Sequence, residues 1–272
     1  MRFYLILLMY LTLGQMSPVA AQESTLKQLA TGDDSRGWDA VGRLNLGTKG
    51  FCTGALIAPQ LVLTAAHCLF DKETGARIDP TEIEFLAGWR NGRAAAYRGV
   101  RRALAHPDFV YSGAELLART AFDVALIELD QPIRLPSIVP FDTDPRPMKG
   151  DEVGVVSYAQ GRAEAASLQE VCHVLGRQPG VLVLSCNVDF GSSGAPIFSM
   201  RDGVARVVSV VSAKADIEGQ QVALGTSLEE PLADLMAELE AGDGVFTHGS
   251  ATVRTLSGNQ IGGAKFVKPD AP

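Results

Sequence analysis

The sequence predicts an all-β fold closed by a C-terminal helix, and three observations lead there. Short apolar runs alternate with turn residues from Val41 onward. The chain carries 28 Gly and 14 Pro among its 272 residues, the turn formers that many short strands require. Helical periodicity is weak until Ser227 to Glu240. A hydrophobic content of 46% with 20% charged residues places the chain among globular proteins rather than disordered ones.

Taken in order, the first element is a targeting signal. Arg2 precedes an apolar run from Phe3 to Leu13, interrupted only by Thr12, and Val19-Ala20-Ala21 supplies small residues for cleavage before Gln22. The run is shorter than the roughly 20 residues needed to span a bilayer, so residues 1–21 read as a signal peptide rather than an anchor. The expected location is secreted or periplasmic, with no membrane association after signal removal. Residues 22–36 are polar and turn-rich, a loose leader. Strands are expected at Leu44 to Leu46, Thr53 to Ile57, Leu61 to Thr64, Ile83 to Ala87 and Val124 to Leu129. Gln131 to Pro136 is a connector, because Pro132 and Pro136 cannot sit in a central strand. A second strand set follows at Glu152 to Tyr158, Val181 to Cys186, Ala195 to Ser199, Ala205 to Val211 and Gln221 to Gly225. In the helix, Leu228, Leu232, Leu235, Met236 and Leu239 share one face, with Glu229 and Glu230 in the first turn. Residues 241–272 form a Gly-rich tail with no readable role.

The formal charge is −7, and removing residues 1–21 takes away Arg2 and no acid. A chain this acidic, without a basic stripe, is a poor ligand for phosphate backbones, so no nucleic-acid partner is expected. Four cysteines, Cys52, Cys68, Cys172 and Cys186, fall into two local pairs. In an exported chain an even count favours disulfides. Of the three pairings, Cys52–Cys68 and Cys172–Cys186 are expected. Neither pair has the short ligand spacing of a zinc site, and His106, His173 and His248 suggest no metal cluster.

Three segments carry candidate chemistry. Leu61-Val62-Leu63-Thr64-Ala65-Ala66-His67-Cys68 runs a strand into small residues and ends at a His beside a half-cystine, which would fix the imidazole for general-base work. Gly191-Ser192-Ser193-Gly194 flanks a hydroxyl with glycines, so the Gly191 and Ser193 amides could converge on a developing oxyanion. Asp123 opens the apolar run Val124-Ala125-Leu126-Ile127, where a buried carboxylate needs a partner, and His67 is the natural one.

With these motifs on the page, the chain resembles the trypsin/chymotrypsin-like serine proteases over roughly residues 38–240. Cys52-Thr53-Gly54-Ala55-Leu56-Ile57, Thr64-Ala65-Ala66-His67-Cys68, His106-Pro107-Asp108-Phe109 with Asp123-Val124-Ala125-Leu126, and Gly191-Ser192-Ser193-Gly194-Ala195-Pro196 carry the likeness, in the family's chain order. The resemblance implies two packed six-stranded antiparallel β-barrels, about 37–135 and 136–240 with the helix, and a cleft between them. It implies a His67, Asp123, Ser193 triad acting without cofactor or metal on protein or peptide substrates, in a monomer. Val211-Ser212-Ala213-Lys214 then falls on the strand edge that pairs with substrate. Ser212 would sit near Asp123, and Ala213 and Lys214 would line the cleft.

The chain also departs from that family. Many members place an Asp before the catalytic Ser, to pair with an N-terminus freed by cleavage; here the position is Ser192. No Ile-Val-Gly-Gly-like start is present, Val41-Gly42 being the nearest remnant. Charge pairing therefore cannot order this loop, and competence on signal removal is expected. Asn187 and Asp189 are both candidate pocket residues, so no residue preference is assigned. Two rivals remain: a catalytically silent protease fold used for binding, and a serine esterase using Ser193 with His248. The esterase elbow needs Gly two residues after the Ser, and Ala195 stands there.

Overall fold

The computed structural model describes residues 23–112, 116–144, 147–217, 219–242 and 246–247. The expected signal peptide, His248 and nearly all of the Gly-rich tail lie outside those residues. In chain order the strands are β1 (Lys27–Gln28), β2 (Val41–Leu46), β3 (Phe51–Ala58), β4 (Leu61–Thr64), β5 (Ile83–Ala87), β6 (Ala96–Ala105) and β7 (Ala125–Leu129). Then come β8 (Glu152–Ala159), β9 (Arg162–Gln178), β10 (Val181–Leu184), β11 (Pro196–Ser199), β12 (Arg206–Ile217), β13 (Gln220–Ser227) and β14 (Phe246–Thr247). Two helices, α1 (Leu116–Ala121) and α2 (Pro231–Ala241), complete the set.

The strands close into two antiparallel six-stranded barrels. The first runs β6-β5-β2-β3-β4-β7, with β6 pairing β7 to close it; the second runs β9-β10-β13-β12-β11-β8, with β9 pairing β8. Closure leaves little sheet edge open for pairing with other chains. The residues 131–136 connector forms no strand, and its Ile133 is buried. The barrels share an apolar core: Phe198 of the second meets Trp38 edge-on at 5.0 Å and Phe141 at 4.6 Å. A separate cluster containing Leu182, Ile197 and Val208 fills the second barrel.

Ten of the twelve barrel strands lie where the sequence places them, and two go unforeseen. β6 reads AYRGVRRALA, and its pairing with β7 shifts register between Val100 and Arg102, which breaks the two-residue alternation. β9 is 17 residues long and shifts register against both neighbours, with Arg, Glu and Gln scattered along it. The six-residue α1 was not expected either. The helix expected over Ser227 to Glu240 begins later, at Pro231, because Ser227 still belongs to β13. Leu235 and Leu239 face the core, whereas Met236 is exposed. Gly242 ends this helix in the left-handed conformation at φ 79°.

Residues 22–36, expected as a loose leader, are hydrogen-bonded onto β9 near their middle. β1 pairs with Leu168 and Ser167 of β9, the Leu29 amide donates to the Ala166 carbonyl at 2.8 Å, and Leu29 is 2% exposed. At the other end, β14 adds to the edge of β6.

Candidate active site

Both expected disulfides are present, Cys52–Cys68 spanning 16 residues and Cys172–Cys186 spanning 14. The first braces the His67 turn. β4 stops at Thr64, Ala65 and Ala66 are fully buried, and a short 3₁₀ turn, Ala66–Leu69, carries His67 out of the barrel end.

Asp123 sits between α1 and β7 and is 1% exposed. A carboxylate so placed needs several donors. It receives the His67 backbone N–H at 2.8 Å on Oδ1 and His67 Nδ1 at 2.7 Å on Oδ2. The Ser212 hydroxyl donates to the same Oδ2. Because an ionised carboxylate only accepts, the proton of the neutral imidazole belongs on Nδ1, leaving Nε2 as the basic nitrogen. Among the described residues nothing hydrogen-bonds to Nε2, Ser193 included. Ser212 reaches Asp123 from the β12 bulge, where the pairing with β13 shifts register between Val211 and Ala213.

Ser193 lies in a loop of the second barrel that is clamped onto the first. The Thr53 amide of β3 donates to the Ser193 carbonyl at 2.8 Å, and the Thr53 hydroxyl donates to the Gly191 carbonyl at 2.9 Å. Thr53 also accepts from the Tyr158 amide at 3.1 Å. The approach is too close for side chains. A Cβ on Gly194, at φ +73°, would stand 2.1 Å from Thr64 Oγ1, and one on Gly191, at φ +94°, 2.4 Å from the Phe51 ring.

The amides of this loop divide into two sets. Ser192, Gly194 and Ala195 donate to the carbonyls of Asp189, Val211 and Ser192 at 2.8, 2.7 and 2.9 Å. Among the described residues, the Gly191 and Ser193 amides donate to nothing. Those are the two expected at an oxyanion.

Beside Ser193 a cavity of about 270 Å³ is walled by Val188, Val211 and Ala213, with Asp189 and Lys214 at its rim. Lys214 Nζ lies 3.3 Å from Asp189 Oδ1. The Phe190 amide and then Lys214 hold the Asp189 carboxyl below the ordinary carboxylate range. Asn187 is exposed beside a second, smaller cavity, so of the two candidate pocket residues it is Asp189 that lines the cavity beside Ser193. Cys52, His67 and Cys68 bring potential metal-ligand atoms within 4.8 Å of one another. The two sulfurs are bonded to each other, which removes the thiolates a metal would need.

The sequence model of the trypsin-like peptidase domain matches residues 52–208, more than half of the chain. The chain belongs to the trypsin-like peptidase family. Among curated relatives of this chain is the glutamyl endopeptidase of Bacillus licheniformis, 25% identical over 150 residues, which are 55% of this chain and 45% of the relative. Coagulation factor IX of Cavia porcellus is 30% identical over 96 residues, 35% of this chain and 31% of the relative. The matches thus span less than half the length of either relative. Among solved structures, a Glu endopeptidase in complex with MPD superposes with a TM-score of 0.65 at 15% identity, covering 82% of this chain and 99% of the other. The scabies mite inactivated protease paralogue S-D1 superposes at 0.62 and 14% identity, covering 80% and 97%.

Two residues that brace this candidate site carry no mark in the sequence. Thr53 belongs to an expected strand, and its clamp on both loop carbonyls depends on the barrels meeting. The Thr226 hydroxyl donates to the Thr120 carbonyl at 2.7 Å, with the Asp123 carbonyl also within reach at 3.1 Å, tying the Asp123 turn to β13. Neither residue carries a local signal, because each acts across more than a hundred residues.

Proposed function

We propose that this chain is an exported serine endopeptidase working through His67, Asp123 and Ser193. The observation that carries the proposal is the buried Asp123 carboxylate, which holds His67 by both its backbone and its Nδ1. That arrangement selects the tautomer whose Nε2 can take a proton from a hydroxyl.

In the proposed cycle, His67 Nε2 removes the Ser193 proton as Oγ attacks a peptide carbonyl. The carbonyl oxygen gains charge and is received by the Gly191 and Ser193 amides. Their lack of any partner beside three engaged neighbours supports that role. Collapse expels the amine, which takes its proton from His67, and water then hydrolyses the acyl-enzyme by the same route. Asp123 stabilises the imidazolium in both halves without itself becoming protonated. No step calls for a metal or cofactor. The apolar cavity beside Ser193 receives the side chain preceding the scissile bond.

Export is proposed from residues 1–21 and agrees with two disulfides, which persist in oxidising compartments. Among the described residues no helix is long and apolar enough to cross a membrane. The domain proposal is likewise a signal peptide at 1–21, a leader segment at 22–36, a peptidase domain at 37–240 and a tail at 241–272, in a monomer. A silent protease fold is disfavoured because all three triad positions are filled and Asp123 already engages His67.

The test is labelling with a fluorophosphonate probe followed by peptide mapping, beside a Ser193→Ala control. Labelling confined to Ser193 and abolished in the control is the expected result. Labelling elsewhere, or a control that labels equally, overturns the triad.

A further inference from the structure

The loop that carries Ser193 needs something to hold its shape, since position 192 is an uncharged Ser. Ser192 is fully buried, and its hydroxyl stands at the centre of a small polar knot. It receives the Asp189 amide at 3.3 Å and Arg162 Nη2 at 3.3 Å, and can donate to Ser157 Oγ at 3.3 Å or to the Tyr158 carbonyl at 3.4 Å. A hydroxyl offers one donor and two acceptor sites, so this arrangement saturates it.

Arg162 is the other pole. It opens β9, directly after the Gln160-Gly161 turn that joins it to β8, and folds back over the hairpin. Its Nη1 donates to the Ser157 carbonyl at 2.8 Å and its Nη2 to Ser157 Oγ at 3.1 Å. The same turn grips the loop a second time, the Gln160 amide donating to the Phe190 carbonyl at 2.6 Å. Among the described residues no carboxylate lies within ion-pair distance of Arg162. Its partners are neutral oxygens, and burial pulls the guanidinium below its ordinary range, with Asp189 opposing. Taking such a cation partly out of water without a counter-ion is costly. A side chain kept there at that cost is expected to be holding something in place.

We propose that Arg162 is a positioning residue: through Ser157 and Ser192 it holds residues 189–193 in the shape that presents the Gly191 and Ser193 amides to the substrate. Together with the Thr53 clamp from the first barrel, this orders the loop without charge pairing at position 192. The fork geometry matters, because Nη1 and Nη2 reach the Ser157 carbonyl and Ser192 separately, and a single ammonium cannot reproduce both.

The proposal rests on the protease reading above, and the experiment separates the two. Saturable labelling by the fluorophosphonate probe gives a maximal rate and a half-saturation constant for wild type, Arg162→Ala, Arg162→Lys, Ser192→Ala and the Arg162→Ala/Ser192→Ala double variant. A misplaced oxyanion donor costs about 10- to 10²-fold in rate. The expected result is a fall of that size in maximal rate for Arg162→Ala, with half-saturation within threefold of wild type. Arg162→Lys should recover part of the rate. Ser192→Ala should add little in the Arg162→Ala background, because both act through one network. An unaltered rate in Arg162→Ala and Ser192→Ala, with wild type labelled at Ser193, overturns this proposal alone. A wild-type chain inert to the probe overturns the protease reading and this proposal with it. Where Arg162→Ala fails to fold, Ser192→Ala decides by the same criterion.

Discussion

The two halves of the candidate site are built differently. The base half, His67 and Asp123, sits in the first barrel under covalent and buried constraint. A disulfide adjoins His67, two alanines are packed beneath it, and Asp123 is 1% exposed with three donors on its carboxylate. The nucleophile half rests on a loop whose residues 187, 189 and 190 are exposed and whose shape comes from hydrogen bonds to Thr53, Gln160 and Arg162. The difference fits the proposed chemistry. The imidazole must hold one orientation while its charge changes, whereas the loop must leave two amides free and admit a substrate.

The largest break in this contrast is expected at Asp123. Asp123→Asn keeps the shape but offers an NH₂ to Nδ1, which favours the tautomer protonated on Nε2. A loss of about 10⁴-fold in turnover is expected, the size established for this replacement in triads of trypsin-like enzymes. Turnover measured on a peptide library at neutral pH checks it, and a loss under tenfold would detach Asp123 from the mechanism.

Next in size come the disulfides, which test the contrast directly. Their spans of 16 and 14 residues are nearly equal, so replacing either pair by Ser should lower stability by about 3 kcal/mol. Activity should respond unequally. Without Cys52–Cys68 the His67 turn loses its nearest brace, and the labelling rate of folded enzyme should fall. Without Cys172–Cys186 the loop keeps its clasps at Thr53 and Arg162, and the rate should hold. Urea unfolding beside probe labelling under native conditions separates the two effects, and the reverse ranking would refute the contrast.

How much of this could be read from the chain follows the same division. His67, Cys68 and the Ser193 loop announce themselves because their constraints are local: small residues, a half-cystine, flanking glycines. Asp123 is legible as a carboxylate opening an apolar strand, whereas Ser212 is placed beside it only by the family likeness. Arg162 and Thr53 are invisible, because Arg162 opens a strand whose irregular register hid it, and Thr53 acts on Gly191 from 138 residues away. β6 and β9 were missed for a related reason, since bulges erase the alternation by which strands are recognised.

A smaller effect is expected in the pocket. Lys214 is the cation at the rim, and Asp189 neutralises it at 3.3 Å. Asp189→Asn frees Lys214 while keeping an oxygen to accept the Phe190 amide, which donates to Asp189 at 2.9 Å. Exposed pairs of this kind are worth about 1 kcal/mol or less, so preference for an acidic residue before the scissile bond should rise about fivefold at most. A library digest comparing wild type and variant reads this shift. An unchanged profile would mean that Lys214 points away from the bound side chain.

The smallest effect concerns His106, which the structure buries at 2% exposure. The Asp108 amide donates to its Nδ1 at 3.2 Å, so the neutral ring carries its proton on Nε2, which has no hydrogen-bond partner among the described residues. The ring stacks on Phe122 at 5.0 Å, and Asp234 of α2 stands 3.8 Å from Nε2, too far for a hydrogen bond. Burial lowers the affinity of this ring for a second proton, and Asp108, Asp234 and Glu238 only partly oppose it. The folded state therefore binds the proton less readily than the unfolded chain, whose imidazole titrates near 6.5. His106 costs nothing above that pH. As pH falls below about 6.5 the unfolded state gains protons first and stability drops, until the folded ring titrates as well. Carboxylates such as Asp71, held low by Lys49, weaken the fold only in more acidic solution. His106→Gln, whose amide oxygen can still accept from Asp108, should thus lose less stability than wild type between pH 7.5 and pH 5 in urea melts. Parallel losses would show that the Asp234 carboxylate already compensates the charge.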